Sequence, residues 1–522
     1  MQYGRSSSGK NELIPGKYTK AWLSNWETVM QDPLVSVLLA YGHPMVAAAY
    51  SEASALGRDH LRCQLDSVDL EWIATAARCA GESVSSAERV MQYAEPPCPV
   101  RLGTGNELYD CIAAGEHELA NGTVGLIIVA GGQGSRLGFQ HAKGLFPIGP
   151  LSRRTLFEFL IDRVRAVSRR YAQSIPIYVM TSPATHAETI DYFQQNQFFG
   201  LPSSDVFIFR QGTLPAIDSV TGELLLADRQ SLAMSPDGHG GMLSAFETHG
   251  GFQHARERGV QHLFYCQIDN PLTPACDSEI IGRHVLAAAD VTTLAVRKTA
   301  PDEKVGNIVL VDGKARIVEY SDMPAEFTRL RADDGSLKFW AGNIGVHVFL
   351  LDFLQRVASS PDALPLHRAR KQIESRRLDR STWQRVTGEA IKFERFIFDI
   401  LPLAERSLVL EANKHAVYAP VKNSDGEATN TPMMARRMIA QQHADLLRKA
   451  GVAVDPGVEV EVHPMWALDE ADIAARFPSD THIAVSTYFH NAIRHPTLQT
   501  TFRSAKIGES CSNFLNVAVG YD

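Results

Sequence analysis

The residues most able to do chemistry lie in one short stretch, Val124 to Gly144, which reads VGLIIVAGGQGSRLGFQHAKG. A buried apolar run leads into Ala130, Gly131, Gly132, Gln133 and Gly134, with Arg136 close behind and Lys143 after it. Glycines at these positions let backbone N–H groups approach an anion without Cβ clashes. Arg136 offers a planar fork for phosphate oxygens and Lys143 a compact charge. Together they suit a polyphosphate.

Known phosphate loops fit less well. A dinucleotide fingerprint requires G-x-G-x-x-G, and after Gly132 and Gly134 the third glycine, Gly138, comes one residue late. A P-loop ends in Gly-Lys-Ser/Thr, which Leu137-Gly138-Phe139 does not supply. A plain glycine-rich surface turn would need neither cation. A second candidate is Asp269, just past the apolar run HLFYCQI. A carboxylate at a strand end can bind Mg²⁺ (or Mn²⁺) that bridges phosphate oxygens. It can also cap a helix, and Asn270-Pro271 beside it fits a turn.

These loops need a scaffold. Short apolar runs recur from about residue 105 to 405, at Val124, Ile175, Val206, His262 and Val291, with helical stretches such as TLFEFLIDRVRAVSRR between them. That alternation predicts an α/β fold with a mostly parallel, mixed sheet, in which ligands sit beyond the carboxyl ends of the strands. Residues 1–104 read as a helical N-terminal region, closed by the proline-rich stretch Ala94 to Gly103 as a linker. Residues 406–522 read as a small α+β, β-rich domain with one helix from about Pro432 to Ala450.

Composition sets limits. At 522 residues the chain exceeds one core, so two or three domains are expected. A net charge of −8 gives no general attraction to nucleic acid or anionic membrane, so phosphate recognition must be local. The seven cysteines form no C-x-x-C pair and no zinc spacing. With a polar N-terminus unlike a signal peptide and no apolar run long enough to span a bilayer, the reading is cytoplasmic.

The glycine loop resembles the signature of the UDP-sugar pyrophosphorylase family. The resemblance continues in order through Arg210–Ala216, Ser235–Gly241, Tyr265–Asn270, Val318–Ser321, Ala341–Ile344, Phe396–Asp399 and Pro420–Asn423, across roughly residues 55 to 435. It implies a Rossmann-like nucleotidyltransferase domain. The implied reaction joins UTP to an N-acetylhexosamine 1-phosphate, giving a UDP-sugar and pyrophosphate. In-line attack on the α-phosphorus needs positioning and charge neutralisation rather than a general base.

The resemblance also distributes roles. Arg136, Lys143 and Lys422 would stabilise the phosphates. Spacing alone would leave Lys422 a solvated surface lysine. Ala130, Gly131, Gly132, Gln133 and Gly134 would cradle the nucleotide, with Gln211 pairing to a uracil edge and Gly240 close to the base. His239 departs from the asparagine expected at its position in eukaryotic members. Asp269 and Asn270 would lie by the sugar, Asp269 also by the metal. Glu319 and Asn343 would hold sugar hydroxyls and the acetyl group. Phe396 and Phe398, alternating on one face of an expected strand, would wall the acetyl methyl, the alternative being core packing. Alternative functions are a UDP-glucose or UDP-galactose type of pyrophosphorylase and a non-catalytic UDP-sugar-binding protein. The displaced glycine makes a nicotinamide-dependent oxidoreductase the weakest alternative.

Overall fold

The computed structural model describes residues 32–78, 84–360, 364–379, 382–478 and 481–490. The polar N-terminus, Cys79 and Cys511 lie outside the described residues.

Two compact units emerge, and neither is continuous in sequence. The first combines Met1–Ser86, Gly212–Gly241 and Leu364–Ile397; the second combines Ala87–Gln211, Met242–Ala363 and Phe398–Asp522. In the second unit the strands of the main sheet are β1 (Val100–Arg101), β2 (Val124–Val129), β3 (Ile177–Thr181), β4 (Val206–Arg210), β5 (His262–Gln267), β6 (Val291–Arg297), β7 (Asn307–Val311), β8 (Lys314–Val318), β9 (Ala341–Leu350) and β10 (Ser407–Ala412). They run in the order β1-β10-β6-β9-β5-β2-β3-β4, with the β7–β8 hairpin attached at β9. The pairings β5–β2, β2–β3 and β3–β4 are parallel, whereas β9 runs antiparallel to both β5 and β6.

The apolar runs become these strands because a sheet covered on both faces demands unbroken hydrophobic sequence rather than alternation. All of β3, and β2 up to Ile128, is buried. The main helices of this unit are α1 (Leu108–Ala120), α2 (Leu156–Tyr171), α3 (His186–Gln195), α4 (Ser278–Leu286) and α5 (Pro432–Lys449). A capping box starts α2: the Thr155 amide donates to Glu158 at 2.6 Å, and the Glu158 amide donates to the Thr155 hydroxyl at 3.3 Å. Leu156, Phe157, Leu160, Ile161 and Val164 on α2 then join the core under the sheet. Each such side chain contributes about 1.5–3 kcal/mol of burial.

The expected linker is not one. Glu95 exchanges backbone hydrogen bonds with Leu310 at 2.9 and 2.8 Å, the Trp340 indole donates to the Pro97 carbonyl, and Val100 pairs with Leu410 at the sheet edge. Prolines break helices, but they also suit edge segments that need few donors. The boundary expected at 405/406 likewise falls inside the second unit, because β10 inserts between β1 and β6.

In the first unit, the helices Pro33–Ala40, Pro44–Glu52 and Ala55–Asp66 do not make a core by themselves. They cover a sheet built from Ile217–Asp218, Leu226–Asp228, Ser231–Leu232 and the hairpin of His367–Asp379 with Thr382–Glu394. Leu38, Val46, Leu61, Leu226, Leu232, Ile391 and Phe393 form the shared core. The helical N-terminal region is therefore one layer of a unit whose other layer comes from two distant insertions.

Candidate active site at the strand ends

The candidate residues of the second unit gather where the parallel-sheet rule places them. Ala130 leaves β2 still donating to Met180 of β3, at 2.8 Å. The loop then folds back on itself. Gly132 accepts the Lys143 amide at 3.0 Å, and the Gly134 amide donates to His141 at 2.9 Å. Among the described residues, the amides of Gly131, Gly132 and Gln133 donate to no protein acceptor. Three successive amides of this kind form an anion-binding concavity. A Cβ on Gly131 would stand 2.3 Å from Gln211 Oε1, so glycine there admits the Gln211 amide onto the loop. Gln211 is the first residue after β4, and its own amide donates to Thr181 at 2.8 Å.

The cations arrive from separate segments. Lys143 Nζ lies 3.7 Å from Asp269 Oδ2, and Lys422 Nζ lies 3.9 Å from the same oxygen. Asp269 follows β5, where Ile268 still donates to Val129 of β2. Burial, Lys422 and Arg136 together hold the Lys143 ammonium below the usual lysine range, against the pull of Asp269. Lys422 moves the other way, raised first by Asp269 and further by Tyr418 and Glu319. The two lysines share a carboxylate yet differ in direction: at Lys143 desolvation outweighs Asp269 and two further cations add to it, whereas at Lys422 Asp269 outweighs desolvation and Tyr418 and Glu319 add to it. Arg136 sits exposed on the short turn Ser135–Leu137.

Asn270 behaves differently from its expected sugar role. It is buried, donating from Nδ2 to the Val417 carbonyl at 2.8 Å and accepting the Ala419 amide on Oδ1 at 2.9 Å. The Val421 amide donates to the Asp269 carbonyl at 2.8 Å. Asn270 thus fastens the segment that carries Lys422 to the segment that carries Asp269. Sequence reasoning also passed over Tyr418 on that segment, whose buried phenol is pushed up by desolvation and feels Lys422 and Asp269. Its position four residues before Lys422 was the available signal.

Glu319 and Asn343 converge on Gly306. The Asn343 amide donates to the Gly306 carbonyl at 2.8 Å, and a Cβ on Gly306 would stand 3.1 Å from Glu319 Oε1. Asn343 Oδ1 accepts the Gly345 amide at 3.0 Å, which orients the side chain and directs its Nδ2 donors elsewhere.

The remaining candidates belong to the first unit, except Phe398. His239 and Gly240 lie in the turn His239–Gly241 rather than an open loop. Gly240 is buried against the Arg395–Phe396 backbone, 2.7 Å from where a Cβ would be, and its amide donates to Arg395 at 2.8 Å. Packing therefore explains this glycine. His239 stacks on Phe396 at 5.2 Å and 17°, and its Nδ1 accepts the Ile397 amide, which places the proton of the neutral ring on Nε2. Phe396 and Phe398 do not alternate on a strand. Phe396 also stacks on His367, while Phe398 is buried in the 3₁₀ segment Ile397–Leu403, which belongs chiefly to the second unit.

The comparisons with known proteins identify the family. A family model described as UTP–glucose-1-phosphate uridylyltransferase matches residues 93–460. The chain belongs to this uridylyltransferase family. It is 34% identical over 379 residues to the UDP-N-acetylhexosamine pyrophosphorylase-like protein 1 of Xenopus tropicalis, covering 70% of this chain and 74% of that protein. It is also 34% identical over 363 residues to the UDP-N-acetylglucosamine pyrophosphorylase of Saccharomyces cerevisiae, covering 67% and 74%. Among solved structures, the UDP-N-acetylglucosamine pyrophosphorylase of Trypanosoma brucei, in complex with an inhibitor, shares the fold. Its TM-score is 0.72 at 24% identity, over 86% of this chain and 97% of that one. Among the described residues of this uridylyltransferase, no helix is long and apolar enough to cross a membrane.

Proposed function

We propose that the chain transfers the uridylyl group of UTP to an N-acetylhexosamine 1-phosphate. A phosphate oxygen of the sugar 1-phosphate attacks the α-phosphorus in line. The bond from that phosphorus to the oxygen bridging the β-phosphate breaks, and the electron pair leaves with pyrophosphate. The observation that carries the reading is the convergence of Lys143 and Lys422 on Asp269 beside three unspent loop amides.

The attacking oxygen is already anionic, so the protein's task is to hold the reactants and neutralise charge on the leaving group. Lys143 and Arg136 serve the triphosphate, Lys422 the phosphate nearer the sugar. Gln211 offers a donor and an acceptor to a uracil edge. The Nδ2 donors of Asn343 suit an acetyl carbonyl, and the Glu319 carboxylate suits sugar hydroxyls. The preference for an acetylated sugar draws on relatives named for such sugars at 34% identity.

Among the described residues no cluster of three or more metal-ligating side chains occurs. A single carboxylate completed by phosphate oxygens and water is an ordinary way to hold Mg²⁺, and Asp269 fits that donor set. We assign Mg²⁺ or Mn²⁺ to Asp269, where it would supply further charge neutralisation on the phosphates. Asp269→Asn is expected to weaken the Mg²⁺ dependence of turnover, and an unchanged metal titration would remove Asp269 from that role. A cytoplasmic setting is part of the same proposal.

The deciding assay offers the purified protein UTP, Mg²⁺ and a panel of sugar 1-phosphates, and reads released pyrophosphate. Turnover is expected with the gluco or galacto N-acetylated sugar. Faster turnover with glucose 1-phosphate would reassign the sugar. Tight UDP-sugar binding without pyrophosphate release under any metal would make the chain a binding protein.

A further inference from the structure

Lys143 owes its position to a neighbour outside the glycine loop. We propose that Glu188 is a positioning residue for Lys143, an inference that rests on the uridylyl-transfer reading. Glu188 stands in the first turn of α3, the helix that follows β3. Its Oε2 accepts the Ala142 amide at 2.6 Å, and its Oε1 meets His141 Nδ1 at 2.5 Å. One carboxylate therefore clasps two successive residues immediately before Lys143.

The clasp completes a set of restraints. The His141 carbonyl accepts from Gly134 and the Lys143 amide donates to Gly132, so the returning limb of the loop is tied to its outgoing limb. Ala142 between them is buried. On the far side of Lys143, Gly144 lies against the Phe157 ring, so closely that a Cβ would come within 2.1 Å. Main chain on both sides of Lys143 is thus fixed, and the ammonium is delivered to Asp269. Without the clasp, the His141–Ala142 limb keeps its backbone ties but loses the anchor to α3.

The charge of Glu188 does not explain its place. A carboxylate beside a loop that takes a triphosphate opposes binding. Its contribution is the pair of acceptors spaced to span adjacent donors. This separates it from a general electrostatic role: the amide of glutamine keeps one acceptor and discards the charge.

The test compares kcat and KM for pyrophosphate release in wild type, Glu188→Ala and Glu188→Gln, with His141→Ala as a second probe. Displacing a catalytic group by about 1 Å can cost on the order of 10²-fold. Glu188→Ala is expected to lose roughly 10–10² in kcat, with KM for the sugar 1-phosphate within about twofold. Glu188→Gln should recover at least half the wild-type kcat with an equal or lower KM for UTP, and His141→Ala should lose only a fewfold. A wild-type kcat in Glu188→Ala overturns the proposal, as does a loss in Glu188→Gln equal to that in Glu188→Ala. Should Glu188→Ala not fold, the other two variants decide: tenfold loss in Glu188→Gln overturns it, and retention there with a fewfold loss in His141→Ala supports it. Absence of turnover in wild type would instead defeat the underlying reading.

Discussion

Two glycine-rich loops stand out in this chain, and Gly132 in one and Gly240 in the other are glycine for opposite reasons. At Gly131, Gly132 and Gln133 the backbone amides donate to no protein acceptor among the described residues, and a Cβ on Gly132 would meet nothing nearer than Lys143 Cδ at 3.9 Å. At Gly238–Gly241 the backbone is spent on the protein itself: Gly240 donates to Arg395, and a Cβ on it would stand 2.7 Å from the Arg395–Phe396 main chain. Gly132 lacks a side chain and leaves room for an anion; Gly240 lacks one because neighbouring backbone already fills the space. A glycine pattern alone does not tell these apart; what each Cβ would touch does.

The largest effect that would break the comparison concerns the charges around the open loop. Lys143→Ala and Arg136→Ala should each lower turnover by roughly 10²–10³-fold, the scale of removing an electrostatic stabiliser, with thermal unfolding little changed. Wild-type rates in both would deny the loop its phosphate role. The glycines come next. Gly240→Ala should destabilise the first unit by about 1–3 kcal/mol through overpacking, seen as a lower urea midpoint. Gly132→Ala, with space for its methyl, should leave the midpoint unchanged or slightly higher. Its cost should appear as a rise of about tenfold in KM for UTP, the scale of one hydrogen bond to a charged group. If the two variants exchanged behaviours, the assignment of the loops would be reversed.

The contrast also shows what the sequence can carry. The strands at Val124, Ile177, Val206, His262 and Val291, and the helix from Pro432, are legible because parallel strands need long apolar runs and helices need capped amphipathic ones. The glycine loop and Asp269 are legible because each directly follows such a run. Asn270 misleads for the same reason. A polar residue after a strand invites a ligand, but its partners are the backbone groups of Val417 and Ala419, which carry no side-chain signature. Ala94–Gly103 misleads because proline marks both linkers and sheet edges. Phe396 and Phe398 read as strand from their spacing of two, but Phe396 precedes and Phe398 lies within the 3₁₀ segment Ile397–Leu403, whose period is three. The make-up of the first unit was hidden more deeply, since its core joins Leu38 and Leu61 to Leu226 and Phe393 across three separate stretches.

The smallest expected effect sharpens the picture of the open loop through pH. Lys143 must be charged to act, and burial with its cationic neighbours holds it below the usual lysine range. The rate should therefore fall on the alkaline side earlier than an ordinary lysine would cause. Asp269 raises both Lys143 and Lys422, so Asp269→Asn should move that limb to lower pH, while Lys143→Arg, slower overall, should lose it. Stability responds with the opposite sign. Between the lowered native value and the ordinary unfolded one, the unfolded chain binds more protons at Lys143, so this group makes the fold more stable as pH rises through that window. Lys422, raised in the native state, contributes stability that is full below the ordinary lysine value and is lost as pH climbs through its raised one. The rate should thus decline in a window where Lys143 is strengthening the fold. Parallel pH profiles of kcat and of urea midpoint would check this. Alkaline decline of both together, surviving in Lys143→Arg, would show that loss of fold rather than loss of the Lys143 proton sets the limb.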